Sequence, residues 1–576
     1  MLTRLRINLA QTRRLLAGKQ ALFVLSLLGL VSGVAVGVVI SLFRLSMELT
    51  QAGFLPGHFE NYEALHWQQR LLLASIGGLV LGLMFYLASR TPMRVGILHV
   101  LERLAYNEGH LPLKNMVMQF VGGVIAVVSG QSVGREGPSV HLGAGTASLF
   151  GQYLRLPNNS IRTLVGCGTA AAVAAAFNTP LAGVIFAMEV ILMEYTIAGF
   201  TPVILAAVSA TVVSRLVFGT EEIFIIQDIR LESMLDLPLV VVMGMIMGAV
   251  ASLFIRLTRQ LTEYGQNIVI WLRMALAGLI VGVIALISPE VMGVGYDTVN
   301  AVVLGQIGIL GLAIILVAKL MATSICVGFS IPGGLISPSL VIGAVVGGML
   351  AHVLTLIGVP HSGSGLYALL GAGAMMSATL QAPLAALLAL LELTGSHDIV
   401  FPAMLAVVSA NLTAQEVFKS ESFFMSQFKQ FGLDYRNDPI AQHLRRIGLE
   451  SVINRSFVIA EPVVERQAAV AYLKDNPDWV LIRRQEDSNL LMPAADLARF
   501  LEKDDSEKVE LLEIPAKRRQ LAAITLESTL QHAQQVISSS EAEALYAITR
   551  LGQSADRING IITPEDIEKQ YRTVIA

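Results

Sequence analysis

The sequence predicts an all-α polytopic membrane protein of two repeated halves with broken helices, followed by a soluble α/β tail. Three observations predict it. Apolar residues make up 54% of the 576-residue chain and Asp, Glu, Lys and Arg only 14%, with a mean hydropathy of +0.65, well above an ordinary globular composition. The charges are unevenly placed, since 42 of the 83 lie in residues 1–430 and the other 41 in the last 146. A block of motifs recurs about 200 residues further on.

At the N-terminus, Arg4, Arg6, Arg13, Arg14 and Lys19 precede an apolar run from Ala21 to Phe43, too long for a signal-peptide core. It reads as a retained first span, with residues 1–20 held in the cytoplasm by the positive-inside rule. A charged tail without disulfides is expected on the same side, so the number of crossings should be even. Between Asp297 and Glu392 the only fixed charge is Lys319, a stretch suited to hydrocarbon. Several apolar segments, near 116–130, 364–378 and 383–394, are too short to span alone. Short pieces interrupted by Gly or Pro are how broken transporter helices look, because irregular backbone at membrane depth survives only beside protein or water.

The repeat sharpens this. Gly166-Cys-Gly-Thr-Ala-Ala-Ala, Pro180-Leu-Ala and Glu189 recur as Gly371-Ala-Gly-Ala-Met-Met-Ser, Pro383-Leu-Ala and Glu392, and Gly137-Pro138-Ser139 is echoed by Ser337-Pro338-Ser339. Two homologous halves follow, 21–220 and 221–434. Glu189 and Glu392, equivalent by that symmetry, read as structural. Beyond 435, short apolar runs such as Trp479–Ile482 alternate with polar helical stretches, which is soluble α/β character.

The segment Gly134-Arg135-Glu136-Gly137-Pro138 carries the chemistry. An ionisable pair at membrane depth is costly and is a functional candidate. Pro138 fits a first helical turn, and Gly134 and Gly137 leave the backbone open to a ligand. The following helix would begin with unpaired N–H groups and the positive end of its dipole, a site for an anion. The second copy, Gly328-Phe329-Ser330-Ile331-Pro332-Gly333-Gly334-Leu335-Ile336, builds the same object without a charge. Two such helix starts brought together can hold a dehydrated halide weakly enough for it to leave.

Gly134-Arg-Glu-Gly-Pro138, Gly328-Phe-x-x-Pro332-Gly-Gly and Pro180-Leu-Ala-Gly183, in that family's order over residues 20–435, resemble the CLC chloride channels and proton/chloride exchangers. The resemblance implies inverted repeats, a homodimer with one pore per subunit, and bound chloride where helices meet head-on. It makes Glu136 the gate, whose carboxylate occupies an anion site when ionised and swings away when protonated. It makes the Leu335 and Ile336 amides the central donors, with Gly333 and Gly334 allowing close approach and Gly134, Arg135 and Gly137 forming the facing loop.

Three departures stand out. Val95 replaces a serine whose hydroxyl touches the central anion, and valine cannot donate. Phe424 replaces a pore tyrosine, with Phe423 as the alternative register. Val190 follows Glu189 where exchangers carry a second, proton-accepting glutamate, and Glu194 would share a helical face with Val190 if the helix continues. In the tail, Gly560-Ile-Ile-Thr563-Pro-Glu-Asp566 resembles the end of a CBS domain, and with a first copy near 451–500 implies a CBS-like pair over 435–576. Thr563 and Asp566 would contact an adenine nucleotide, the alternative being a structural or dimer-stabilising use.

The expected function is chloride transport across the inner membrane through a gate at Glu136, channel-like or loosely proton-coupled. Coupled proton/chloride antiport, fluoride export and a membrane-anchored nucleotide sensor are the alternatives. Chloride and protons are the expected partners, with membrane lipid around the spans. A net charge of −3 suggests no nucleic-acid partner. No catalytic or metal motif stands inside the spans, no cofactor is implied beyond a bound chloride, and Cys167 and Cys326 suggest neither disulfide nor metal site.

Overall fold

The structure, a computed structural model, describes residues 21–56, 60–88, 93–220, 231, 233–234, 236–433, 439–484, 489–549 and 557–575. The N-terminal cations expected to hold residues 1–20 in the cytoplasm lie outside them. The chain divides into two compact units, one containing Leu25–Tyr153 and Arg162–Tyr435, the other Leu154–Ile161 and Arg436–Ala576.

The larger unit is helical. Its elements are α1 (Leu22–Ala52), α2 (Trp67–Ala88), α3 (Gly96–Tyr106), α4 (Leu113–Val128), α5 (Glu136–Tyr153), α6 (Asn158–Phe177), α7 (Pro180–Phe186) and α8 (Ile197–Phe218). After them come α9 (Asp236–Gln266), α10 (Ile270–Ile284), α11 (Tyr296–Val303), α12 (Ile309–Gly328), α13 (Ile336–Leu356), α14 (Gly363–Leu380), α15 (Pro383–Thr394), α16 (Val400–Leu412) and α17 (Phe423–Gln430). Among the described residues eight helices are long and apolar enough to cross a membrane, and shorter apolar ones, including α4, α10 and α15, lie between them. This is a multi-pass membrane protein.

Lipid tails give no hydrophobic drive for helices to associate, so small residues must let backbones touch. Gly78 of α2 and Gly278 of α10 meet in this way: a Cβ on Gly78 would lie 2.5 Å from the Met274 carbonyl oxygen and 2.8 Å from the Gly278 Cα. Two glycines 200 residues apart, the offset of the motif repeat, thus pack on each other.

The two breaks share hydrogen bonds as well as motifs. At the first break the Gln131 N–H donates to the Ala126 carbonyl at 3.0 Å, and at the second Ile331 donates to Cys326 at 2.9 Å. The Ser139 hydroxyl returns to the Arg135 carbonyl at 2.8 Å, and Ser339 to Leu335 at 2.7 Å. The two acids read as structural cap each other's helices. Glu392 accepts from the Leu181 and Ala182 N–H groups at 2.9 and 2.8 Å, and Glu189 from Leu384 and Ala385 at 3.3 and 2.8 Å. Each helix opens with proline, whose missing N–H is no loss at that position, and an acid on its dipole satisfies the N–H groups that follow. Glu189→Ala or Glu392→Ala should each cost about 0.5–2 kcal/mol, the size of a lost helix cap, read as a lowered unfolding midpoint in detergent.

One expectation about this region fails. The helix carrying Glu189 and Val190 widens into a π-turn over Ala187–Leu192 and stops, with Met193 in the left-handed region at φ 54°. Glu194 follows the stop, its N–H donating to the Met188 carbonyl at 3.1 Å, and shares no helical face with Val190.

The smaller unit is α/β. A six-stranded sheet runs in the order β1 (Phe457–Ala460), β3 (Trp479–Ile482), β4 (Leu490–Pro493), β6 (Arg519–Thr525), β7 (Ala544–Thr549), β8 (Arg557–Ile562), while β2 (Val463–Glu465) pairs with β5 (Lys508–Glu510). Each half of the sheet has a parallel pair, β1 with β3 and β6 with β7, followed by an antiparallel neighbour, and β4 pairs with β6 to join them. Helices Arg466–Leu473 and Leu530–Ser539 make the two parallel crossovers. Arg519 holds Glu565 by two hydrogen bonds of 2.7 and 2.8 Å, which bring that carboxyl down to about 2. A depressed acid stabilises the fold above its ordinary value and loses that contribution as pH falls towards 2. The exposed pair is worth under about 1 kcal/mol. Arg519→Gln should therefore lower the tail's unfolding midpoint slightly at neutral pH, and the difference should vanish as pH approaches 2.

Candidate anion site at the meeting of two helix ends

The chain enters both breaks in the same conformation, and the two breaks meet. Gly134 N–H donates to the Gly334 carbonyl at 2.7 Å, and Gly334 N–H to the Gly134 carbonyl at 2.6 Å. A Cβ on Gly137 would sit 2.6 Å from the Gly333 carbonyl oxygen, so only glycine allows this approach. The starts of α5 and α13, each with first-turn N–H groups lacking intrahelical partners, therefore lie side by side in the protein interior. Because Gly134 and Gly334 spend their N–H groups on each other, the donors left to an anion are the first-turn amides beyond them.

Glu136 is the first residue of α5 and is fully buried. Its carboxylate is not paired with Arg135. It reaches across to α13, where one oxygen accepts from the Ser337 N–H at 3.2 Å and from the Ser337 hydroxyl. The second oxygen has no protein partner among the described residues. Arg135 turns the other way, donating to the Ala176 carbonyl at 3.1 Å, with its guanidinium 5.8 Å from the Phe177 ring and 5.6 Å from the Tyr296 ring. The acid thus occupies the positive end of a neighbouring helix, where dipole and amide both favour negative charge.

On the other side of the glycines lies a cavity of about 420 Å³ lined by Val95, Gly96, Gly137, Gly333, Gly334, Leu335, Phe423 and Phe424. Val95 is the residue before α3 and supplies no side-chain cap to that helix. Phe423 and Phe424 both line the cavity, their rings edge to face at 5.7 Å. Arg94 and Arg273 reach the same cavity, Arg94 pairing with Glu102 at 3.1 Å. Leu335 faces it, whereas the Ile336 side chain faces a separate small apolar cavity beside Phe177 and Leu340, leaving Ile336 only its amide to offer. Val190 is buried in the π-turn. In the tail Asp566 Oδ2 accepts from both the N–H and the hydroxyl of Thr563, at 3.1 and 2.8 Å, which ties the start of the last helix. Among the described residues no three or more His, Cys, Asp or Glu are grouped to hold a metal ion.

Two contributors escaped sequence reasoning. Ser337 was visible only as the echo of Gly137, and nothing in its neighbours announces an acid 201 residues away. Lys319, noticed as an isolated charge, is fully buried and donates to the Val291 and Gly293 carbonyls at 3.1 and 3.2 Å, fixing the turn before α11.

Residues 77–415 match the family described as Voltage gated chloride channel. A protein of Ralstonia nicotianae named as a ClcB-like chloride channel protein is 33% identical over 378 residues, 63% of this chain and 86% of that protein. The H(+)/Cl(-) exchange transporter ClcA of Salmonella agona is 30% identical over 311 residues, 52% of this chain but only 65% of the exchanger. Among solved structures, a slow cyanobacterial Cl-/H+ antiporter aligns with a TM-score of 0.62 at 22% identity, covering 71% of this chain and 97% of that one. A eukaryotic CLC transporter aligns at 0.58 and 18%, covering 94% and 98%. At those identities the structures speak for the fold alone. The matched family spans more than half of the sequence, includes both helix breaks, and coincides with the paired anion-attracting helix ends: the chain belongs to the voltage-gated chloride channel, or CLC, family of anion transport proteins.

Proposed function

We propose that this chain moves chloride across the inner membrane through a pore gated by Glu136, channel-like or loosely coupled to protons. The observation that carries the reading is the seat of the Glu136 carboxylate on the Ser337 amide and hydroxyl at the start of α13. An ionised acid there holds an anion's place, and a protonated one has no charge to keep it. Gly137, Leu335 and Ile336 supply amides, Gly134, Gly333 and Gly334 let the backbones close, and Arg135 adds positive potential nearby. Phe424 forms an apolar constriction in place of a hydroxyl.

Coupled proton/chloride antiport is the second reading, favoured by the titratable gate and by relatives named as exchangers. Against tight coupling stand Val190, which cannot titrate, and the break that separates it from Glu194. Fluoride is the third, since Val95 alters the central site and a structure titled a CLC-type fluoride/proton antiporter shares the fold. The repeats run 21–220 and 221–434, the protein is a homodimer, and both termini are cytoplasmic. The tail is a CBS-like pair, supported by its two β-α-β-β halves. In it Thr563 and Asp566 hold the last helix and would open to a nucleotide only by releasing each other.

The test is flux in reconstituted vesicles with chloride, fluoride, nitrate and sulfate gradients and pH recorded. A chloride gradient that dissipates without driving protons uphill supports the channel-like reading, and robust uphill proton movement replaces it by antiport. Bromide-soaked crystals with no ion beside Glu136 or the 333–336 loop would remove the site altogether.

A further inference from the structure

We infer that Gln119 is the side-chain donor to the permeant anion in the cavity, taking over the task that Val95 cannot perform. The inference rests on the anion-pore reading above and names a residue that reading does not use. Gln119 lies in the middle of α4, where it is the only polar side chain beyond Asn115, and is fully buried. Neither its amide nitrogen nor its amide oxygen has a hydrogen-bond partner among the described residues. A carboxamide buried in this way loses its hydration at both ends, and such groups are nearly always satisfied by something. Gln119 also lines the cavity that Val95, Gly96, Gly333, Gly334 and Leu335 border.

Its placement is built. One turn earlier on the same face of α4, Asn115 donates to the Arg94 carbonyl at 2.9 Å, which fixes the chain just before α3. That leaves the Gln119 carboxamide beside Gly96, the first residue of α3, where the amide oxygen stands 3.9 Å from the position of a Gly96 Cβ. Helix α3 starts there without a side-chain cap. An uncapped helix start and an unpartnered carboxamide therefore face one cavity from two elements. Whichever way the carboxamide turns, one end donates and the other accepts. Turned towards the cavity it lines, the carboxamide has its donor end satisfied by a small monovalent anion and its acceptor end by a water that the anion retains. Such an occupant suits a halide that crosses partly hydrated, held by neutral donors and thus free to leave.

The test is chloride titration calorimetry on the full-length protein in detergent, with Q119L, Q119E, V95S and the V95S/Q119L double variant. Wild type should bind, and Q119L should bind about tenfold more weakly, the size expected for one lost hydrogen bond to a charged group. V95S/Q119L should recover most of the loss, because a hydroxyl returns to the same cavity, a rescue that a packing role would not give. Q119E should lose chloride at neutral pH and regain it on acidification, as its own carboxylate competes for the space and then is neutralised. Q119L within twofold of wild type, or Q119E binding chloride equally at both pH values, overturns the inference while leaving the pore reading intact. If Q119L does not fold, Q119E and V95S decide, V95S being expected to tighten binding. Wild-type protein that binds no chloride overturns the pore reading, and this inference with it.

Discussion

Glu136→Gln protein in vesicles should pass chloride at a rate that stays level from about pH 4.5, near the ordinary glutamate value, to about pH 7.5, whereas wild-type flux should fall about tenfold or more over that range. The sign follows from the seat of the side chain. When pH rises the carboxylate is charged, and the amide and hydroxyl of Ser337 at the start of α13 hold it where a permeant anion would rest. When pH falls the proton removes that charge, the helix end no longer attracts the group, and the place is open to chloride. Glutamine has the shape of the protonated acid at every pH, so the variant should run at the acid limit of the wild type. It should also move no protons with chloride, since nothing at the gate titrates. A variant that retains the wild-type pH profile would mean that another group gates, and that Glu136 is only a helix cap.

Much of this arrangement was legible before any coordinates. Pro138, the glycines Gly134, Gly137, Gly333 and Gly334, and the 200-residue echo marked helix starts inside hydrocarbon, because only a few residue types permit a break there. A structural part for Glu189 and Glu392 followed from their equivalence, but that each caps the helix bearing the other's motif did not. What stayed hidden depended on partners distant in sequence. Ser337 is an ordinary serine until Glu136 lies against it, and Gln119 is a polar residue in the apolar stretch of α4 until the Gly96 turn is placed beside it. Glu194 misled for a different reason: helical spacing assumed a regular α-helix, and a π-turn ending in left-handed Met193 is not foreseeable from local propensity. The gate residue was the easiest to see, since a carboxylate beside Gly137 and Pro138 at membrane depth has few other uses.

Gly334→Ala should abolish the assembled membrane unit, not merely slow it. A methyl group on Gly334 would sit 2.6 Å from the Gly137 nitrogen and 3.2 Å from the Glu136 nitrogen. Those are backbone atoms, so no rotamer change makes room, and relief requires the two helix ends to part. Parting them breaks both hydrogen bonds between Gly134 and Gly334. It strands their N–H and C=O groups where water is scarce, at several kcal/mol for each group left unsatisfied, on top of about 1–3 kcal/mol for overpacking. The sum exceeds what most single substitutions cost and is comparable with the whole stability of many folded chains. Gly308→Ala is the matched control: it too lies in the membrane unit, but its added methyl meets nothing within 4 Å. On size-exclusion in detergent, Gly334→Ala should run in the void or fail to express, with Gly308→Ala indistinguishable from wild type. Two sharp, superimposable peaks would mean that the helix ends stand further apart than the Gly134–Gly334 pairing requires. An anion could not then be shared between them, and the seat of Glu136 would lose its meaning.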